Sequence, residues 1–322
     1  MPLWFIEFAI CRPQSGDDAP AYVGNTGIVR RIEDCQSVWA KLRWAVELMV
    51  PSHRGVGWNW QIKNIPEDSK RHLTRRRWII YHLCKGILSY LGSLLLLVAM
   101  GFASSLEQDS QGLLQKRLVD AMIGWTGAIW IYCRLCTFYS TASAATVALG
   151  LYERWQLPPL MGKVGDAWSV RQFWAVYHQT MRQMLSAPAI RITRALGFRK
   201  GSLASALCQL YLAFGLSTVV HQFQMFNVTR RDVGEFTFFM SQPVVITLEG
   251  AVMWLWRRYV RKSRSVAPVE IMLGYVWVVL WLSSSLPIYL KGSRDAGIVH
   301  DAFIGTAPFD FGIWLGQRYP AS

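Results

Sequence analysis

Two stretches of the chain determine how it can fold. Residues 168–183 read WSVRQFWAVYHQTMRQ, and residues 214–225 read FGLSTVVHQFQM. We predict a helix over 168–185, turning by about 100° per residue. One polar stripe of this helix, about 80° wide, would contain Arg171, Trp174, His178 and Arg182. The rest of its surface is apolar enough to face a membrane.

The second stretch carries a histidine deep in an apolar run. His221 is the only histidine or charged residue between Lys200 and Arg230. An ionisable side chain at bilayer depth is costly, and by default it marks a functional site. We therefore predict that His178 and His221, on neighbouring membrane-associated segments, carry the chemistry.

The composition is that of a helical membrane protein. Of 322 residues, 52% are hydrophobic and only 17% are charged, whereas soluble chains carry about 25% charged residues. The 16 tryptophans suit aromatic belts at the membrane surface. No linker rich in proline, glycine or serine divides the chain. We predict one membrane-embedded domain over 1–322, with an N-terminal segment 1–77 and a helical core 78–316.

Long apolar runs predict five membrane-spanning helices. A span requires roughly 20 residues, and the runs lie at about 78–103, within 119–151, and at 203–226, 236–256 and 269–290. The second run is either tilted or broken near 140–143, and its Arg134 must face protein or water. A sixth, less apolar span is predicted within 296–316. The fold class is all-α, with five to six transmembrane helices and further membrane-associated helices.

The net charge of +14 comes mostly from loops. Basic residues concentrate in 63–77, 182–200 and 257–264. Five spans would place these loops on one side, as the positive-inside rule requires. Because the basic residues lie between spans, nucleic acid is not expected as a partner. The glycosylation sequon at Asn227 would be lumenal, but so close to the membrane that we predict it is not used.

Residues 54–66 form a third distinctive stretch, RGVGWNWQIKNIP. Its two glycines and two tryptophans, with little periodicity, predict a structured loop at the membrane surface. Trp58 and Trp60 would then lie at headgroup depth.

A histidine that faces an apolar cavity suits a general base acting on a lipophilic hydroxyl. Burial penalises the imidazolium, so the neutral ring remains able to accept a proton near pH 7. For either histidine alone, a packed imidazole hydrogen-bonded to a backbone carbonyl is an alternative. The arginines and tryptophan around His178 fit interfacial anchoring as well as they fit a function. No metal is predicted, because neither HxxxH nor HExxH occurs and no third ligand has suitable spacing.

Four motifs within 54–264 together resemble the fungal and plant wax-synthase-like branch of the membrane-bound O-acyltransferases. The stretch 168–183 resembles its S-x-R-x-F-W-x-x-x-W-H-Q-x-x-R segment, except that Tyr177 replaces a tryptophan. PPLMG (158–162) resembles its P-P-L-F-G lead-in, and RGVGWNWQIKNIP resembles its R-G-[IV]-G-W-x-W-x-x-K-N-[IL]-P segment. FGLSTVVHQ resembles a later helix with a small residue, here Ser217, before a histidine. The matched positions of the first motif are Ser169, Arg171, Phe173, Trp174, His178, Gln179 and Arg182.

The resemblance implies transfer of an acyl group from acyl-CoA to an alcohol, with neither a metal nor an acyl-enzyme. It makes His221 the base that takes the hydroxyl proton. It makes His178 a residue that orients the acceptor or stabilises the oxyanion. Acyl-CoA is the implied cosubstrate, and its phosphates pair well with arginine. The candidates for binding it are Arg171, Trp174, Gln179 and Arg182.

By resemblance we expect an acetyltransferase of the endoplasmic reticulum, surrounded by membrane lipids, that uses acetyl-CoA and a lipophilic alcohol. The alcohol would be a terpenoid or related secondary metabolite. Within the same class, the alternative is a long-chain fatty acyl-CoA:alcohol acyltransferase that makes wax or sterol esters. From another class, the alternative is a non-catalytic membrane protein or a small transporter. A transporter is expected to show paired broken helices, and the sequence has no internal repeat.

Overall fold

The computed structural model describes residues 8, 12–13, 15–17, 19–25, 27, 29–49, 54–177, 179–260 and 268–319. In this part of the chain the regular structure is helical, and β-pairing is limited to isolated bridges such as that between Tyr22 and Trp58. The all-α prediction is confirmed. The α-helices of these residues are α1 Val38–Met49, α2 Arg75–Asp109, α3 Leu113–Ala148, α4 Val170–Tyr177, α5 Arg182–Ala195, α6 Leu203–Thr229, α7 Glu235–Tyr259, α8 Pro268–Asp295 and α9 Ala307–Arg318.

Four of these helices are long and apolar enough to cross a membrane, namely α2, α6, α7 and α8. They contain the predicted spans 78–103, 203–226, 236–256 and 269–290. The shortest of them has 25 residues, and at about 1.5 Å per residue it exceeds a hydrocarbon core of about 30 Å. The chain is therefore an integral membrane protein of the helical class.

The remaining predicted span, within 119–151, corresponds to α3. The 36 residues of α3 include too many polar side chains to place it among those four. Of the two predicted alternatives for this run, the break near 140–143 is absent, since the helix is continuous. α3 packs along α8, where Trp125 Nε1 donates a hydrogen bond to Ser283 Oγ at 2.9 Å. Arg134 pairs with the buried carboxylate of Asp301 at 2.7 Å, so this charge faces protein, as predicted.

The sixth predicted span does not form within 296–316. The chain forms α9 there, and its 12 residues extend only about 18 Å, which is too short to cross the membrane. α9 packs closely on α2 instead. A Cβ at Gly101 would clash with the carbonyl oxygen of Phe309, and one at Gly312 with that of Val98. Small residues at such crossings allow helix backbones to approach each other.

The chain divides into two compact units. The first comprises Met1–Arg75, Leu149–Ala167 and Arg171–Ala213, and the second comprises Arg76–Ala148, Trp168–Val170 and Phe214–Ser322. The connection that follows α3 therefore groups mostly with the N-terminal segment, not with the helical core predicted over 78–316. A single domain over 1–322 stays a prediction.

Ionic contacts join three helix ends in the second unit. Lys291, near the end of α8, pairs with Glu107 at the end of α2 and with Asp120 near the start of α3, the latter at 2.7 Å. The turn between α6 and α7 meets the same part of α8, because a Cβ at Gly292 would clash with the backbone of Val233. The ends of α2, α6 and α8 and the starts of α3 and α7 therefore share one end of this unit.

This arrangement bears on the predicted topology. The segments 104–118 and 227–235, each with two basic and two acidic residues, meet at the same end of the unit, as the positive-inside rule predicts for them. The basic start of α2 and the basic end of α7 lie at the opposite end. Residues 261–264 of the third basic loop lie outside the described residues, and the side of 182–200 stays a prediction.

The core of the first unit is aromatic. Trp44 and Leu48 of α1 pack against Trp58 and Trp60, and Met184 of α5 packs against the same cluster. Trp58 and Trp60 are only 5% and 7% exposed. Their rings pack in the apolar core of the first unit and not on its surface, and their depth in the membrane stays a prediction.

Buried hydrogen bonds hold the loop 54–66 in place. The guanidinium of Arg54 donates to the carbonyl oxygens of Pro158, at 2.8 Å, and of Pro159. The Asn59 side chain donates to the carbonyl of Ala19 at 2.8 Å and accepts from the N–H of Ala21 at 3.1 Å. Two of the four motifs, RGVGWNWQIKNIP and PPLMG, are thus joined through Arg54.

Candidate functional site

The helix predicted over 168–185 is interrupted. α4 ends at Tyr177 and α5 begins at Arg182. The carbonyl of Val176 accepts a hydrogen bond from the N–H of Gly162 at 3.1 Å, whereas in a continuous helix it would accept one from Thr180. A residue distant in sequence therefore ends α4, and the single polar stripe predicted from Arg171 to Arg182 is wrong.

A cavity of about 290 Å³ in the first unit contains none of the predicted site residues. Arg30 and Arg43 line it, but both already pair with Glu47, at 2.5 and 2.9 Å. Desolvation raises the pKa of two tyrosines in its wall, Tyr22 and Tyr152. Its charges largely compensate one another.

A second cavity, of about 250 Å³, lies where three of the four motifs meet. Its charged side chains are Lys163, Arg182 and Asp166, which leave a positive balance. Two amide side chains also line it, Gln172 of α4 and Gln179 of the turn that follows α4. The complete lining is Asn64, Pro66, Gly162, Lys163, Asp166, Gln172, Ala175, Val176, Gln179 and Arg182. We call it the motif cavity.

Gln179 is the most constrained polar residue of the motif cavity. It is only 6% exposed, and its Nε2 donates to the carbonyl oxygen of Asn64 at 3.0 Å. Its Oε1 is buried and has no hydrogen-bond partner among the described residues. A buried amide oxygen without a partner costs about 1–3 kcal/mol. The amide is therefore held in place with its acceptor available to a ligand.

The other predicted donor-binding residues lie differently. Arg182 lines the motif cavity, but Arg171 and Trp174 are not among its lining residues. Arg171 is exposed, and the half-buried Trp174 packs edge-on against Phe173, at 5.5 Å between ring centroids. His178, predicted as the second catalytic residue, lies outside the described residues.

His221 lies on α6 in the second unit, among aromatic rings. Its imidazole stacks on Phe239 with 4.3 Å between centroids and a 10° interplanar angle. Tyr289 of α8 approaches edge-on at 6.1 Å. Within the described residues neither ring nitrogen has a hydrogen-bond partner. The packed-histidine alternative expected a bond to a backbone carbonyl, so the structure favours a ring held by aromatic contacts with its nitrogens available.

Sequence reasoning missed the residues that surround His221. Phe239 and Tyr289 position the ring, and Glu235, one helical turn before Phe239, is completely buried. The Glu235 carboxyl accepts from the N–H of Val233 at 2.9 Å. The neighbouring Glu235 side chain lowers the pKa of Asp232. The available signal was an acidic residue at the start of an apolar run.

The comparisons with known proteins agree with these motifs. Residues 157–241 match the model of the "Membrane bound O-acyl transferase family". This range contains PPLMG, the motif helix and His221. Over this range the chain is similar to the membrane-bound O-acyltransferase superfamily. The finer assignment to its wax-synthase-like branch stays a prediction.

Curated relatives extend the similarity beyond the matched range. "Acetyltransferase ple2" of Rhodocybe pseudopiperita is 29% identical over 88% of this chain and 74% of its own length. "O-Mevalon transferase yanI" of Aspergillus niger is 27% identical over 75% of this chain and 59% of its own length. "Acetyltransferase pyr8" of Aspergillus fumigatus is also 27% identical, over 77% of this chain and 62% of its own.

The chain thus spans about three quarters of the first of these relatives and about three fifths of the other two. No solved structure matches it. The acyltransferase class predicted from the sequence agrees with the family and with the relatives' names.

Proposed function

We propose that the protein is an O-acetyltransferase. It moves an acetyl group from acetyl-CoA to a hydroxyl of a lipophilic acceptor, a terpenoid or a related secondary metabolite. The single observation that carries this proposal is the motif cavity. Residues 64–66 meet the two motifs at 158–162 and 168–183 there, around a buried amide whose oxygen has no partner among the described residues, and the cavity has a positive balance of charge.

The motif cavity is proposed as the donor site. The pantetheine arm of CoA carries amide N–H groups, and Gln179 Oε1 accepts a hydrogen bond from one of them. Lys163 and Arg182 are cations suited to CoA phosphates. Arg171, which is exposed, contacts phosphates outside the cavity, and Trp174 offers an aromatic face to the same cosubstrate.

The reaction is proposed to occur at His221. A ring nitrogen takes the proton of the acceptor hydroxyl while the oxygen attacks the thioester carbonyl. The tetrahedral intermediate collapses and the C–S bond breaks. The CoA sulfur then accepts the proton that the imidazole took from the hydroxyl. His178 orients the acceptor or donates a hydrogen bond to the oxyanion. The acyl group ends on the acceptor oxygen and the proton on CoA.

The expected location is the endoplasmic reticulum, with the acceptor dissolved in the bilayer. Two features support a lipophilic acceptor: His221 lies on a candidate membrane span, and its immediate neighbours Phe239 and Tyr289 are aromatic. The basic loops between spans favour a cytosolic side facing acyl-CoA.

Microsomes that contain the protein test the proposal. They are incubated with labelled acetyl-CoA or palmitoyl-CoA and with a panel of hydroxylated terpenoids and long-chain alcohols. Labelled acetate ester formed from a terpenoid, and absent with His221→Ala, is the expected result. Labelled palmitate esters would replace the proposal with the wax or sterol ester alternative. No ester from either donor would favour the non-catalytic class.

A further inference from the structure

One face of helix α1 packs against the first unit, and the opposite face is exposed among the residues that the structure describes. Trp44 and Leu48 are buried in the aromatic core of the first unit. The opposite face carries four large apolar side chains that are mostly exposed: Val38 81%, Trp39 79%, Leu42 51% and Val46 51%. Single exposed apolar residues are ordinary, but a contiguous patch of this kind indicates a surface that binds something.

The positions of the polar residues define this face further. At 100° per residue, the four exposed apolar residues occupy an arc of about 100°. Lys41 borders the arc on one side and Arg43 on the other, and both are exposed. Lysine and arginine at such borders extend their apolar stems over lipid and carry their charges to the headgroups. An apolar arc bounded by cations on both sides is the pattern of a helix lying in a membrane surface.

We propose that α1 is an interfacial helix that binds phospholipid and anchors the first unit to the bilayer surface. With 12 residues it is about 18 Å long, too short to cross the membrane. The same chain carries four candidate spans, so the protein resides in a bilayer. Arg43 also pairs with Glu47 at 2.9 Å, but a protein partner, which would fit the apolar patch alone, gives no reason for Lys41 at its border.

This anchor has a structural consequence inside the first unit. The buried face of α1 packs against Trp58 and Trp60, which belong to the loop 54–66. That loop continues to Asn64 and Pro66 in the wall of the motif cavity. α1 therefore connects the bilayer surface to one wall of the cavity through a single aromatic core. The proposal does not depend on the reaction that the cavity serves.

Photo-crosslinking tests the proposal with the full chain in nanodiscs of phosphatidylcholine and phosphatidylglycerol. The change Trp39→p-benzoylphenylalanine places a photoreactive group on the apolar arc. Glu33→p-benzoylphenylalanine is the matched control, because Glu33 is exposed in the same unit but lies in a polar turn. We expect phospholipid adducts by mass spectrometry in about tenfold greater yield at position 39 than at 33. Equal yields, or adducts to a second copy or to another segment of the chain, would overturn the proposal.

A second measurement uses hydrogen exchange on the same nanodiscs. Leu42→Asp places a charge within the arc, and exchange of the α1 amides should rise as the helix leaves the lipid. Glu33→Gln changes a charge in the same unit but outside α1 and should leave α1 protected. If both variants exchange like the original protein, α1 does not bind lipid.

Discussion

The two units of the protein hold their candidate site residues by different means. In the first unit, Gln179 is fixed by a hydrogen bond to a distant backbone carbonyl, and the loop around it by the guanidinium of Arg54. In the second unit, His221 is fixed by aromatic packing against Phe239 and Tyr289. Directional polar contacts fail abruptly when one partner is removed, whereas apolar packing degrades gradually with the size of the residue. The same kind of substitution should therefore have different consequences in the two units.

The largest expected effect tests whether His221 serves chemistry or packing. His221→Ala should lower kcat by about 10²–10⁴-fold, the usual contribution of a general base, or roughly 3–5 kcal/mol of transition-state stabilisation. Turnover is measured in detergent and normalised to monodisperse protein. Phe223→Ala is the matched control on the exposed face of the same helix. If turnover stays normal while the protein level falls, His221 is a packing residue and the proposed mechanism is wrong.

The next effect concerns the buried hydrogen bonds of Arg54 in the first unit. Arg54→Gln removes a buried guanidinium from the carbonyls of Pro158 and Pro159, and we expect a loss of about 3 kcal/mol in stability. Thermal unfolding in detergent measures it. Arg71→Gln is the control, because Arg71 and Glu67 are 70% and 80% exposed and such pairs contribute about 0.5 kcal/mol or less. Equal shifts in Tm for the two variants would show that the hydrogen bonds of Arg54 do not stabilise the contact between the two motifs.

A smaller effect is expected at the donor site. Gln179→Leu removes the amide oxygen that is proposed to bind acyl-CoA, and KM for acyl-CoA should rise about tenfold, the worth of one buried hydrogen bond. KM for the alcohol should change little. Gln156→Leu removes a comparable hydrogen bond, to the Tyr22 hydroxyl at 3.0 Å in the other cavity, and should leave both KM values unchanged. A rise in the alcohol KM alone would assign the motif cavity to the acceptor.

The smallest effect sharpens the contrast between the units. Phe239→Leu keeps an apolar side chain but removes the ring stacked on His221, an interaction of about 1 kcal/mol. We expect kcat to fall about fivefold, with KM for acyl-CoA unchanged, because the imidazole loses alignment only. Phe236→Leu, on an exposed position of the same helix, should have no effect. If kcat fell as far as it does in His221→Ala, packing in the second unit would be as sensitive to a single substitution as hydrogen bonding in the first.

The sequence predicted the second unit well and the first unit poorly. Spans were predictable because length and apolar content are properties of a continuous stretch, and four of the five predicted runs became candidate spans. The interruption after Tyr177 was not predictable, since it depends on the N–H of Gly162, which lies in another segment. The burial of Trp58 and Trp60 escaped prediction for the same reason. A tryptophan in a membrane protein suits an interface or a core equally well, and only its neighbours decide.

By itself the sequence determined the all-α membrane class, the types of side chain that are available for chemistry, and the family that its motifs resemble. Hydropathy, charge and the order of motifs are recorded along the chain, so each can be read without knowing what lies nearby in space. Only the tertiary structure decided that Gln179 and Arg182 share a cavity which Arg171 and Trp174 do not line. It also decided that aromatic rings rather than hydrogen bonds hold His221. A buried contact is a property of two distant segments, and neither segment alone specifies its partner.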